Sequence, residues 1–387
     1  MVVAPPKRSK KPGRRASGDV LGPLALNRAL LARQMLLERG PFGAAEAIER
    51  LVGMQAQAPA APYVGLWTRL RDFRPGDLAR LILERRVVRI ALMRGTVHLV
   101  TARDALTLRP LLQPVFDRDL RVNSTYARGL AGMDLGALAA HGRALVEEQP
   151  RTMTELRALL HARWPDRDAP SLAYAIRNLL PLVQVPPRGL WGVGGLPTLT
   201  SAEAWLGRPL ARRPSLGGMV RRYLAAFGPA SVMDVQEWSG LTRLGAVVER
   251  LRPELRVFRD ERGTELFDLP GAPRPQPDTP APPRFLPEYD NLMVAHADRS
   301  RVVAEADRGR ITVDGREIVG TVLVDGFAGG TWKIHRKGGR ALLAVAPFAR
   351  LARTQAATLA EEGERLLALT DGEASAREVR IGAARRA

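Results

Sequence analysis

The sequence predicts an α+β protein: three tandem winged-helix (helix-turn-helix) units followed by a small antiparallel β-sheet or barrel. Three observations lead there. Helical stripes of matching spacing recur along residues 21–270, each ending in a short β-like stretch with a turn. Eight prolines, at 270, 273, 275, 277, 280, 282, 283 and 287, then break the chain. Beyond them, short β-like runs are punctuated by Gly309, Gly315, Gly326, Gly329, Gly338 and Gly339.

Composition sets the bounds. A chain of 387 residues with 45% hydrophobic and 26% charged residues has room for several domains with cores of their own. It holds no cysteine, which excludes disulfides and thiolate chemistry and fits a reducing cytoplasm. No run of about 18 apolar residues predicts a membrane span. The formal charge is +19, from 59 Lys plus Arg against 40 Asp plus Glu. Such an excess points to a polyanion partner, with nucleic acid first, against the plainer reading of an arginine-rich background.

Residues 1–20 carry Lys7, Arg8, Lys10, Lys11, Arg14 and Arg15 against Asp19, and read as a disordered basic arm. The first unit is expected over 21–125: Leu78, Leu81 and Ile82 begin a stripe, and 87–93 with 96–100 form a hairpin across Arg94-Gly95. The second, 126–210, opens with Thr152-Met153-Thr154-Glu155, a capping-box pattern. Ile176, Leu179, Leu180 and Val183 follow, and a hairpin is expected from 183–185 and 190–193 across Pro186–Gly189. The third, 211–270, repeats the box as Ser231-Val232-Met233-Asp234, then the stripe Leu244, Val247, Val248 and Leu251, then strands at 255–258 and 265–269. Residues 271–287 read as a Pro-rich linker. The β-barrel-like domain over 288–387 has strands expected at 301–304, 310–313, 317–324, 330–335, 341–347 and 378–382, with a helix at 351–369.

The most informative stretch is Met54-Gln55-Ala56-Gln57-Ala58. Ile48, Leu51 and Val52 lie on one helical stripe whose next position is Gln55, an amide where a hydrophobe is expected. Pro59 and Pro62 favour an extended backbone, on which Gln55 and Gln57 share a face. An amide offers donors and an acceptor but is no general base. Arg94 at the first hairpin tip reads as a groove or phosphate contact, or as a solvated turn arginine. His98, on the strand leaving that tip, reads as a phosphate or base contact, or as a half-buried structural histidine. The run from Phe285 to Arg301 holds Glu288, Asp290 and Asp298, which supply a general base or pair with Arg299 and Arg301. Phosphate-loop and nucleophile-elbow motifs are missing, Gly192-Val193-Gly194-Gly195 reads as a wing turn, and the five histidines are too scattered for a local metal motif.

Met54-Gln55-Ala56-Gln57, Arg94-Gly95-Thr96-Val97-His98-Leu99, and Leu286-Pro287-Glu288-Tyr289-Asp290-Asn291 with His296-Ala297-Asp298-Arg299-Ser300 resemble together the AlkZ/YcaQ family of bacterial winged-helix DNA glycosylases. The likeness runs from about residue 22 to the C-terminus. It implies a concave DNA-binding surface and hydrolysis of the N-glycosidic bond of N7-alkylated purines, including interstrand crosslink unhooking. That activity serves DNA repair or resistance to DNA-alkylating natural products. The family motif, Gln-x-Gln or Gln-x-Asp, falls on Gln55 and Gln57, making them the catalytic candidates of the Gln-x-Gln branch. Arg94, His98, Arg299 and Arg301 are the DNA-binding candidates. The expected substrate is double-stranded DNA bearing alkylated or crosslinked purines. No metal, nucleotide cofactor or membrane is expected, and the chain is expected to be a monomer. The competing reading is a non-catalytic winged-helix transcription regulator or drug-binding protein, which the charge fits equally well but which does not call for paired amides.

Overall fold

The computed structural model describes residues 19–313 and 317–384, so the basic arm expected over 1–20 lies outside the described residues except for Asp19 and Val20. Helix starts follow caps written in the sequence. The Thr152 hydroxyl accepts from the Glu155 amide (3.3 Å) while the Glu155 carboxylate accepts from the Thr152 amide (2.7 Å). Ser231 and Asp234 repeat the exchange at 3.1 and 2.8 Å. These boxes open the helices Met153–Arg163 and Val232–Ser239.

In the first segment, helices Pro23–Arg33, Ala44–Arg50, Ala61–Trp67 and Pro75–Leu83 surround the short strand Met54–Gln55 and lead into a hairpin of Val87–Ala91 and Val97–Thr101. The long helix Ala102–Val122, capped by Thr101, carries the chain onward. Leu135–Glu148, Met153–Arg163 and Ala169–Leu179 then precede a second hairpin, Leu182–Val185 with Thr198–Ser201. The return strand expected at 190–193 is therefore corrected. Leu190 and Trp191 are drawn into the first segment's core, where Trp191 meets the Tyr63 ring at 4.8 Å between centroids. Gly189, Gly192 and Gly195 have φ of 94°, 72° and 102°, so this stretch turns instead of extending.

The two hairpins are not independent. Arg89 and Ile90 pair with Gln184 and Val183, which fuses both into one six-stranded antiparallel sheet. Its order is Met54–Gln55, Val97–Thr101, Val87–Ala91, Leu182–Val185, Thr198–Ser201, Arg151–Thr152. This leaves the glutamine strand at one edge. The third segment packs Leu216–Phe227, Val232–Ser239 and Gly245–Leu251 ahead of a hairpin, Arg256–Asp260 with Glu265–Asp268, and Val20–Leu21 joins that hairpin in parallel.

The C-terminal sheet is open, not a barrel. Its order is Arg284–Leu286, Thr321–Val324, Phe327–Lys337, Arg340–Pro347, Ala376–Ile381. The helix Arg353–Thr370 returns the chain so that the last strand runs parallel to Arg340–Pro347, a pairing that needs such a crossover. Leu359, Leu366 and Leu367 of that helix pack with Phe285, Leu343 and Val345. The Pro-rich stretch 271–287 is thus not all linker, because Arg284–Leu286 is a buried edge strand. The strand expected at 301–304 is also corrected. Val302 and Val303 are fully buried in the core shared with the first and third segments, and no strand forms there. Among the described residues, no helix is long and apolar enough to cross a membrane.

Buried ion pairs tie the segments together. Arg33 and Asp268 meet at 2.7 and 2.8 Å with side chains 1% and 0% exposed, joining the first helix to the third segment's last strand. Removing Arg33 cuts the tie between the first helix and the third segment but leaves the Asp268 carboxylate paired with Arg274, so Arg33→Ala should lower the unfolding free energy by about 1–3 kcal/mol. Urea titration checks this, and a loss below about 1 kcal/mol would show that the pair contributes little.

Candidate functional site

The glutamine strand is placed by a sharp reversal after helix Ala44–Arg50. Val52 and Gly53 both take positive φ, 55° and 92°, and a Cβ on Gly53 would lie 2.5 Å from Val100 Cγ1. The backbone then extends, as the flanking prolines predict. Gln55 lies opposite His98 in the sheet, and the Ala56 amide donates to the Val97 carbonyl at 2.8 Å. The Ala56 carbonyl accepts from buried Arg89 at 2.5 Å. On the free edge, Asn291 stands in for a missing strand. Its Nδ2 donates to the Gly53 carbonyl (2.7 Å) and its Oδ1 accepts from the Gln55 amide (3.2 Å). Asn291 is in turn anchored by its neighbour Asp290, a bidentate partner of Arg69 at 2.8 and 2.7 Å, both side chains nearly fully buried.

The two amides do converge, and they bond each other. Gln55 Nε2 donates to Gln57 Oε1 in a short contact. Gln55 Oε1 accepts from Arg94 Nη2 at 2.7 Å. Gln55 is buried at 7% exposure, whereas Gln57 is exposed. The Gln55 carbonyl is thus turned inward onto a cation, and the Gln57 amide alone faces solvent.

Arg94 sits in the hairpin turn Met93–Gly95 with a left-handed backbone, φ 56°. Its side chain does not project as a free tip. Nη1 donates to the Trp238 carbonyl at 2.6 Å, and Nη2 reaches Gln55. The turn is pressed against the third segment, where a Cβ on Gly240 (φ 78°) would lie 3.1 Å from Arg94 Cα. Burial pushes the Arg94 pKa down to about 10, opposed by the Glu237 carboxylate, so the guanidinium stays charged at neutral pH.

The other predicted contacts divide. Arg299 stays half-exposed, with its side chain 31% exposed and 3.9 Å from the Glu237 carboxylate. Arg301 is corrected: it is 4% exposed, donates to the Pro229 carbonyl at 2.7 Å and lies 3.8 Å from Asp234, so it holds the third segment together. His98 is corrected as a DNA contact as well. It is wholly buried beside Gln55, its cross-strand partner, with Nδ1 donating to the Thr96 carbonyl at 2.9 Å. Burial, reinforced by Arg94, pushes its pKa down to about 3, so the ring is neutral. The expected pairing of the acids with Arg299 and Arg301 is also overturned. Asp290 belongs to Arg69, Asp298 pairs with Arg262 (3.2 Å) and Arg308 (3.5 Å), and Glu288 is exposed. Both Asp290 oxygens are engaged and buried, which leaves no room for a general base there.

Sequence reasoning missed Asn291, Arg89 and the Trp238 carbonyl. Arg89 carried a signal, a lone charge inside the apolar strand Val87–Ala91. The carbonyl carried none. Beside Arg94 opens a groove lined by Arg118, Tyr174, Arg177, Gln236 and Glu237. Tyr126 stacks on Tyr174 at 4.0 Å between centroids, and a neighbouring hollow extends past Tyr126 to exposed Arg157.

The fold is similar to that of the Streptomyces sahachiroi DNA glycosylase AlkZ, with a TM-score of 0.78, 20% identity, and coverage of 94% of this chain and 100% of that one. No curated protein matches the chain. The model of the DNA glycosylase AlkZ-like family matches residues 48–369, a span that holds the glutamine strand, the Arg94 turn and the Asp290-Asn291 brace. The chain belongs to the AlkZ-like family of DNA glycosylases, enzymes that act on N-glycosyl bonds in DNA.

Proposed function

We propose that this DNA glycosylase hydrolyses the N-glycosidic bond of N7-alkylated purines and unhooks interstrand crosslinks made through such purines. The observation that carries this reading is the exposed Gln57 amide, held from below by Gln55 and Arg94 with no carboxylate or titratable histidine bonded to it. An amide neither protonates a leaving group nor takes a proton from water. Such a site suits a base that is already a good leaving group. Alkylation at N7 makes the purine cationic. Water then adds to C1′ as the C1′–N9 bond breaks, the bond's electron pair passes into the ring and cancels its charge, and the water proton leaves to solvent. Gln57 Oε1 retains a lone pair to accept from that water and orient its oxygen toward C1′.

The three helix-and-hairpin segments are read as winged helices, and the DNA is proposed to pass as a monomer's substrate along the groove beside Arg94, with Arg299 at its rim. Exposed Arg157 and Arg177 contact phosphates, and the Tyr126–Tyr174 stack supports an unpaired base.

Three outcomes test these proposals. Duplex DNA carrying N7-methylguanine should release free base, while duplex carrying a neutral deoxyuridine lesion should not. Gln57→Ala should slow release about 10²-fold. If the protein binds the methylated duplex yet frees no base, the proposed substrate is wrong. Arg157→Ala and Arg177→Ala should each weaken binding regardless of sequence and reduce the slope of log K against log salt by about 1. The rate should also be flat between about pH 5 and pH 9, because His98 protonates only near pH 3 and the glutamines do not titrate. A limb of slope one near pH 6 would reveal a titrating base at the site.

A further inference from the structure

We propose that Arg94 is a positioning residue: it locks both glutamine amides in one orientation, so that Gln57 alone meets the substrate and the guanidinium itself contacts no DNA. This rests on the assignment of Gln57 as the substrate-facing group.

The orientation follows from donor and acceptor counting. A guanidinium carries only donors. The Gln55 atom facing Arg94 Nη2 at 2.7 Å must therefore be the carbonyl oxygen, and its Nε2 must point the other way. That Nε2 reaches Gln57, so the Gln57 atom facing it must be Oε1. Each step leaves no alternative, and the chain runs in one direction from the cation to the surface. Without Arg94 the Gln55 amide can turn by half a revolution, which drives the Gln57 NH₂ inward and changes what faces the sugar.

Arg94 is held where this requires. Its left-handed backbone is closed in by Gly240, and its other nitrogen is fixed on the Trp238 carbonyl. A guanidinium with both nitrogens engaged inside the fold is poorly placed to grip phosphate. Its charge would oppose a reaction that builds positive charge on the sugar, and the Gln55 amide lies between the two. Arg94 therefore links three parts of the chain: the hairpin turn that carries it, the third segment that braces it, and the glutamine strand it orients.

Single-turnover release of N7-methylguanine and binding of the same duplex at several salt concentrations test the assignment. Arg94→Ala should slow release about 10²-fold at saturating enzyme with unchanged affinity and unchanged salt slope. Arg94→Lys, which keeps a cationic donor, should recover part of the rate. In a Gln57→Ala background, Arg94→Ala should cost almost nothing further, since the two act as one unit. Gln55→Glu keeps the acceptor for Arg94 but removes the donor to Gln57, and should be as slow as Arg94→Ala while remaining folded by thermal unfolding. A normal saturating rate with a salt slope smaller by about 1 would make Arg94 a phosphate contact and overturn the proposal. Additive losses in the double mutant would overturn it as well. Full activity in Gln57→Ala would instead remove the site assignment on which it stands.

Discussion

A strand of two residues cannot hold itself in place, and the site depends on the groups that brace it. Met54–Gln55 has a sheet neighbour on one side only. Its open edge is closed by the side chain of Asn291, which occupies one donor and one acceptor of the backbone as a neighbouring strand would. Asn291 can do this because the Arg69–Asp290 pair fixes the adjacent residue in the core. The C-terminal part of the chain therefore completes an edge that belongs to the first segment.

On the proposed function, the amides answer a second constraint, the placement of a cation next to chemistry that generates positive charge. A carboxylate in place of Gln55 would pair with Arg94 and end the hydrogen-bond chain there, having nothing to donate onward. A glutamine accepts at one end and donates at the other, so it passes the orientation outward while covering the charge. Burial of His98, the cross-strand partner of Gln55, has the same sense. The ring stays neutral and adds no further charge beside the strand.

Much of this was legible in the sequence. Pro59 and Pro62 foretold the extended backbone at Gln55 because proline restricts the residue before it. The boxes at Thr152 and Ser231 foretold two helix starts because caps are local. What failed was non-local. Leu190 and Trp191 look like a return strand until the Tyr63 ring in the first segment claims them. The last helix reads as a helix, but only its path across the sheet shows that the final strand is parallel and the sheet open. Arg94 was singled out at the right turn, but its packing was not legible. A turn arginine looks solvent-facing until the third segment brings the Trp238 carbonyl and Gly240 against it.

The same blindness affects net charge. The +19 of the chain suggests a strongly positive surface, yet Arg28, Arg33, Arg69, Arg89, Arg109, Arg284 and Arg301 are buried. Several of them serve as donors to main-chain carbonyls between segments: Arg28 to Thr279 (2.6 Å), Arg109 to Asn178 (2.8 Å) and Arg301 to Pro229 (2.7 Å). The planar, many-pronged guanidinium suits that use, since it satisfies carbonyls that no strand or helix reaches. Arginine here is partly mortar. The cations available to a polyanion are those left exposed; Arg177 among them lines the groove that opens beside Arg94, and Arg157 lines the neighbouring hollow. A count of basic residues points to a nucleic acid, but only their burial distinguishes those that face it from those that hold the fold behind the glutamines.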